Sequence, residues 1–212
     1  MCKVNVADYI AAYKSQPISH QLLVSLLKEY RRPNDKIHRW LSENRLVALR
    51  RGLYLWNSEI IPESFSIANA LYGPSYVSCE SALAYHGLIP EAVFTVVSMT
   101  LNNSKTFTNA LGNFEYIKLP FPYYPLGIQY IKLRENQFAL LASAEKALFD
   151  KVYTTRGIRF RSVESAKVFL LDSMRMNRET LQKLDLAAME SWIAHAQKKD
   201  SLRYLIKALE KL

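Results

Sequence analysis

Two short apolar runs, Leu46-Val47-Ala48-Leu49 and Leu53-Tyr54-Leu55-Trp56, flank Arg50-Arg51-Gly52. Both are too short for helices of their own and read as strands, and Gly52 supplies a positive φ between them at little steric cost. The segment therefore predicts a β-hairpin. What precedes it reads as helix. Val6, Tyr9, Ile10 and Tyr13 follow i, i+3, i+4, i+7 spacing. After Pro17 the stripe returns in Leu22, Leu23, Leu26, Leu27 and Tyr30, with Ser19 as N-cap. Arg31-Arg32-Pro33-Asn34 forms a short basic turn, because Pro33 forbids one helix through it. A third helix is expected from Asp35 to Asn44, with Ile37, Trp40 and Leu41 facing inward.

Three helices followed by a hairpin is the element order of a winged helix-turn-helix, which lays a helix in the DNA major groove. The charge distribution agrees. Of a net +9, residues 1–58 carry 10 Lys/Arg against 4 Asp/Glu, 59–160 carry 8 of each, and 161–212 carry 10 against 7. A basic module on a neutral body suits a polyanionic partner. On the third helix Asp35, His38, Arg39 and Ser42 point away from the apolar arc, with Lys36 on its flank. Arg reads guanine bidentately, and Ser bonds several base edges. Arg31 and Arg32 precede that helix, where they can grip phosphate. Arg50 and Arg51 stand at the hairpin tip, placed for phosphate or a minor groove. The expected partner is double-stranded operator DNA, contacted by Arg31, Arg32, Lys36, His38, Arg39, Ser42, Arg50 and Arg51. The competing reading is a solvated basic domain that docks on a protein.

The rhythm then changes. Glu63 to Leu71 reads as helix, stopped by Tyr72-Gly73-Pro74. Tyr76-Val77 is a short strand, Ser78 an N-cap for a helix from Cys79 to His86, and Gly87 its C′ residue. Val93–Met99, Glu115–Leu119, Ile128–Leu133 and Phe138–Leu141 are strand-like, with loops at Asn102-Asn103-Ser104 and across Pro120–Pro125. Ser143 caps a helix ending near Tyr153, and from Val163 onward the apolar spacing is helical throughout. The expected fold class is α+β. A winged helix-turn-helix occupies 1–58 and a mixed α/β domain 59–160, and a helical segment, 161–212, packs on or extends that domain. Residues 1–58 are expected to bind DNA by themselves.

Enzymatic readings find little support. Neither GxxxxGK[ST] nor GxGxxG occurs. Cys79 and His86 share one helix at a separation of about 10 Å along its axis, too far for a dyad. Cys79 reads as a small buried residue and His86 as one that complements the helix C-terminus. His20, His38, His86 and His195 lack metal-ligand spacing, and Glu145 and Asp150 do not share a face. Glu115-Tyr116-Ile117-Lys118 lacks the E-x-K ending of restriction-type nucleases. The expectation is a non-enzymatic protein with no cofactor and no metal. With no apolar run of membrane length, no leader-like start and two cysteines, Cys2 and Cys79, a cytoplasmic location is expected.

Three segments carry a resemblance. Leu49-Arg50-Arg51-Gly52-Leu53-Tyr54 resembles the wing of the AbiEi-type antitoxins, transcriptional regulators of type IV abortive-infection toxin–antitoxin systems. Tyr76 to Pro90, in which Ser81-Ala82-Leu83 runs into His86-Gly87-Leu88, is similar to that family's central block. Ser143-Ala144-Glu145-Lys146-Ala147-Leu148-Phe149-Asp150 resembles its later block, with Ala144 where proline is common. The resemblance spans roughly residues 19–153. It implies repression of an operon encoding antitoxin and toxin, and a nucleotidyltransferase-like toxin as functional partner. Two alternatives stand beside it: an α/β enzyme acting on nucleic acid that the winged helix delivers, and a protein-interaction module using the C-terminal helices.

Overall fold

The structure, a computed structural model, describes residues 10, 13, 16–60, 62–134 and 137–212. It is a mixed α+β protein with two sheets and a helical C-terminal end.

Strand β1 (Ile18–Ser19) leads into helix α1 (His20–Leu26), where the Ser19 hydroxyl accepts from the Leu22 amide at 3.2 Å. Helix α2 (Pro33–Ser42) starts two residues before the expected Asp35. Pro33 interrupts the chain as expected but belongs to the new helix. In a first turn its missing N–H costs nothing, and its fixed φ suits the helix. Strands β2 (Leu46–Arg50) and β3 (Leu53–Trp56) form the expected hairpin, with Gly52 at φ +79°. Strand β1, which the sequence reading missed, pairs antiparallel with β3, giving the order β1-β3-β2. Of the first expected helix, Ile10 is helical and fully buried, while Val6 and Tyr9 lie outside the described residues.

Side chains alternate across a strand, and β3 uses both faces. Trp56 joins Ile10, Ile18, Leu23, Leu27, Ile37, Trp40 and Leu46 in a small core, where Trp40 and Trp56 meet edge to face at 5.4 Å. Leu53 and Leu55, with Leu49 of β2, enter the larger core of the body. The hairpin is thus packed on both sides. Asn109 Nδ2 also donates to the Leu49 carbonyl at 3.2 Å.

The body begins with α3 (Ser64–Leu71), β4 (Ser75–Val77) and α4 (Cys79–Tyr85). Strands β5 (Thr95–Thr100), β6 (Lys105–Asn109), β7 (Gly112–Lys118), β8 (Ile128–Lys132) and β9 (Phe138–Ala142) follow. They form a six-stranded sheet in the order β6-β7-β5-β4-β9-β8. Strand β5 runs parallel to β7, and β4 parallel to β9; the remaining pairs are antiparallel. Strand β6 was not expected. The strand predicted from Val93 starts at Thr95, leaving Phe94 89% exposed before the sheet begins.

Helix α5 (Ala144–Thr154) is capped by Ser143, whose hydroxyl accepts from the Lys146 amide at 3.2 Å. Beyond it lie α6 (Val163–Val168), a π-helical turn over Phe169–Ser173, α7 (Arg178–Leu181), α8 (Leu186–Trp192) and α9 (Lys199–Leu209). The expected stripe of α9, Leu202, Leu205, Ile206 and Leu209, is buried in the body's core. Among the described residues, no helix is long and apolar enough to cross a membrane.

Candidate nucleic-acid interface

Helix α2 is amphipathic because its apolar residues recur once per turn. Ile37 and Trp40 are buried, Leu41 is half-buried, and Asp35, His38, Arg39 and Ser42 are exposed. The Ser42 hydroxyl donates to the Arg39 carbonyl at 2.8 Å, so its lone pairs are what it offers outward. Lys36 lies half-buried with its ammonium 5.2 Å from the Trp40 ring and 5.8 Å from the Tyr30 ring. Arg31 and Arg32 are exposed where the chain enters the helix. Arg32 faces Asp35 at 3.7 Å across solvent, a contact worth under about 1 kcal/mol and easily given up to a phosphate.

Arg50 and Arg51 stand apart from this group at the hairpin tip, and Arg50 is partly engaged. Its Nε donates to the Leu71 carbonyl at 2.6 Å, satisfying one of the orphan acceptors at the end of α3. Its Nη1 donates to the Arg51 carbonyl at 3.2 Å. The tip is also tied to α1, since the His20 amide donates to the Gly52 carbonyl at 2.9 Å. Arg50 and Arg51 line a cleft of about 380 Å³ with Tyr72, Gly73, Lys105 and Phe107. The Lys105 ammonium sits 4.9 Å from the Phe107 ring centre.

Two cations here escaped the sequence reading. Lys105 belongs to the unexpected strand β6. Arg45, just before β2, lies 5.9 Å from the Trp40 ring and 5.2 Å from the Trp56 ring. Its position between the helix stripe and a strand ending in Trp was the available signal.

A second polar constellation lies inside the body, sealed from solvent. Asp150 Oδ2 accepts from the Tyr76 hydroxyl at 2.9 Å and the Ser78 hydroxyl at 2.7 Å. Lys146 Nζ lies 2.9 Å from Asp150 Oδ1, donates to the Tyr123 carbonyl at 3.1 Å and stands over the Tyr123 ring. Burial pushes the Tyr76 hydroxyl's pKa up, reinforced by Asp150, and pulls that of Lys146 down against the opposing effect of Asp150. Ser78 therefore does not cap α4 with its side chain as expected, because its hydroxyl is drawn to Asp150. Cys79 is buried as expected, at φ +48°, with its thiol pKa raised by burial. His86 caps α4, and its Nε2 lies 2.9 Å from the Ala142 carbonyl. With no exposed side chain, the Asp150 cluster ties β4, α5 and the Tyr123 loop together.

No family model matches the chain, and no curated protein matches its sequence. Among solved structures it is similar to the RV2827C protein from Mycobacterium tuberculosis, with a TM-score of 0.61 and 13% identity. The likeness covers 96% of this chain and 75% of that one. It is a likeness of fold.

Proposed function

We propose that this protein is a DNA-binding transcriptional regulator whose first 58 residues form a winged helix-turn-helix, with α2 as the reading helix. The observation that carries this reading is the exposed side of α2. His38, Arg39 and Ser42 face outward from a helix whose inner side is anchored by Ile37 and Trp40, with Arg31 and Arg32 at its start. The pairing of β1 with the β2–β3 hairpin around α1 and α2 supports the same fold. By its resemblance to the AbiEi-type antitoxins, the protein represses its own operon in the cytoplasm and counteracts a nucleotidyltransferase-like toxin.

The test is binding to the DNA upstream of its own gene, measured against an unrelated duplex. Arg39→Ala is expected to cost roughly 1–3 kcal/mol on the specific site and little on the unrelated one. Equal losses on both would mean that α2 does not read bases. Absence of any binding at low salt would end the DNA reading altogether. Co-expression with the product of the neighbouring gene tests the antitoxin part separately, through growth.

A further inference from the structure

The segment between α5 and α6 carries Arg156, Arg159 and Arg161, and Lys198-Lys199 begins α9 opposite it. Arg159, Arg161, Lys198 and Lys199 line a cavity of about 690 Å³. That is within the range of small-molecule sites, roughly 300–1,000 Å³. Its walls are fixed: the Phe160 amide donates to the Ser201 hydroxyl at 3.0 Å, and the Phe160 ring is buried against Phe169. Lys198, at φ +40°, donates through Nζ to the carbonyls of Val152 at 2.8 Å and Thr155 at 2.6 Å, which holds its charge in place. Burial, and then the nearby Arg159, lower the pKa of Lys198. The acid lining the cavity, Asp200, faces Arg203 at 3.2 Å. Arg159, Arg161 and Lys199 are exposed and form no ion pair among the described residues.

Four cations are thus gathered in one concavity against a single acid, Asp200, which is itself turned to Arg203, and the excess positive charge repels itself until an anion enters. We propose that this cavity binds a small anion carrying two or more phosphates. A single carboxylate would leave most of the charge unmatched. Phosphate oxygens suit two guanidinium forks and an ammonium together, and a short phosphate chain reaches all of them. Inorganic oligophosphates and nucleoside di- or triphosphates share this chemistry.

The experiment titrates the full chain with tripolyphosphate by calorimetry at low salt. Saturable binding at one site per chain is expected, weakened by about tenfold or more in Arg159→Ala/Arg161→Ala and in Lys199→Glu. Lys132→Ala, exposed on β8, should bind as the wild type does. The altered side chains are exposed, so the variants should melt as the wild type does without ligand, and tripolyphosphate should raise the Tm of the wild type and of Lys132→Ala well above any rise in the cavity variants. ATP in a parallel titration identifies the source: tighter binding than tripolyphosphate points to a nucleotide, equal binding to the phosphate chain. Unchanged affinity in both variants overturns the proposal. So does a short DNA duplex that binds through Arg159 and Arg161 while tripolyphosphate does not saturate, which would give this patch to nucleic acid.

Discussion

Lys146 Nζ lies 2.9 Å from Asp150 Oδ1, one turn along α5, and solvent reaches neither side chain. Removing one partner strands the other charge, a loss of about 3–5 kcal/mol for such pairs. The two sides are not equivalent. Asp150 also accepts from Tyr76 and Ser78, so Asp150→Leu orphans two hydroxyls as well as an ammonium. Lys146→Met leaves a carboxylate that keeps two donors. Urea denaturation at neutral pH should find Asp150→Leu the more damaging, and the double replacement less costly than the two losses added. Simple additivity would show that the two charges do not interact.

The buried tyrosines give the fold an alkaline limit. Burial pushes the Tyr124 hydroxyl up to about 12, and the hydroxyls of Tyr76 and Tyr123 are also raised by burial, with Asp150 adding to both. Unfolded tyrosine ionises near pH ~10. Above that the unfolded chain holds fewer protons than the folded one, so stability falls as pH rises. The contribution is complete below pH ~10 and is lost as pH climbs through about 12 and beyond. Tyrosinate absorbance should therefore rise together with unfolding, and Tyr124→Phe should flatten the decline. Ionisation of these tyrosines near pH ~10 in a folded protein would contradict their packing.

Two glycines at positive φ separate backbone need from packing need. Gly157, at φ +81°, has open space where a Cβ would stand. Gly127, at φ +65°, has Trp192 Cη2 at 2.7 Å and Lys146 Cβ at 2.8 Å from that position. Gly157→Ala should cost about 1–2 kcal/mol for the left-handed backbone. Gly127→Ala should cost roughly 1–3 kcal/mol more, because an indole ring and α5 must give way. Thermal melts of the two variants decide it, and equal losses would place Trp192 elsewhere.

Local chemistry was the legible part of this fold. Ser19 and Ser143 cap their helices through hydrogen bonds to residues three ahead, and Gly52 and Gly87 take positive φ where turns were expected. What stayed hidden depends on distant partners. Strand β6, Lys-Thr-Phe-Thr-Asn, has one large apolar side chain and is a strand because β7 folds back on it, Asn109 opposite Gly112. Strand β1 is two residues long and exists through its pairing with β3. The burial of Lys146 and Asp150 was not legible either, since nothing in the helix sequence announces that Tyr76 and Tyr123 will close over them. The exposed side of α2 was legible from periodicity, but the engagement of Arg50 by Leu71 was not, because a hairpin read alone has no body beside it.

That body should matter to the hairpin. Leu49, Leu53 and Leu55 are buried in the larger core, each worth about 1.5–3 kcal/mol when covered. A fragment of residues 1–58 loses this cover and the Asn109 and Leu71 contacts with it. Circular dichroism should find the fragment less stable than the same segment in the full chain and prone to association through the bared strand face. Leu53→Ser and Leu55→Ser in that fragment should raise its solubility, whereas in the full chain they should destabilise. A fragment as stable as the intact protein would show that the two cores are energetically independent.

Arg50 and Arg51 are neighbours with different obligations, and this separates DNA contact from fold. Arg51 is exposed, while Arg50 donates through Nε to the Leu71 carbonyl. If both meet phosphate, each contributes about 0.9 to the slope of log K against log salt. Arg51→Ala should lower that slope by about one and leave the melting curve unchanged. Arg50→Ala should lower the slope similarly and also cost about 0.5–1.5 kcal/mol of stability, by freeing a helix-end carbonyl. Arg50→Lys should recover the salt dependence better than the stability, because an ammonium keeps the charge and loses the fork. Fluorescence anisotropy at several salt concentrations, run beside denaturation of the same samples, reads both quantities. A slope unmoved by either replacement would remove the hairpin tip from the DNA interface and leave that interface to α2 and its flanking arginines.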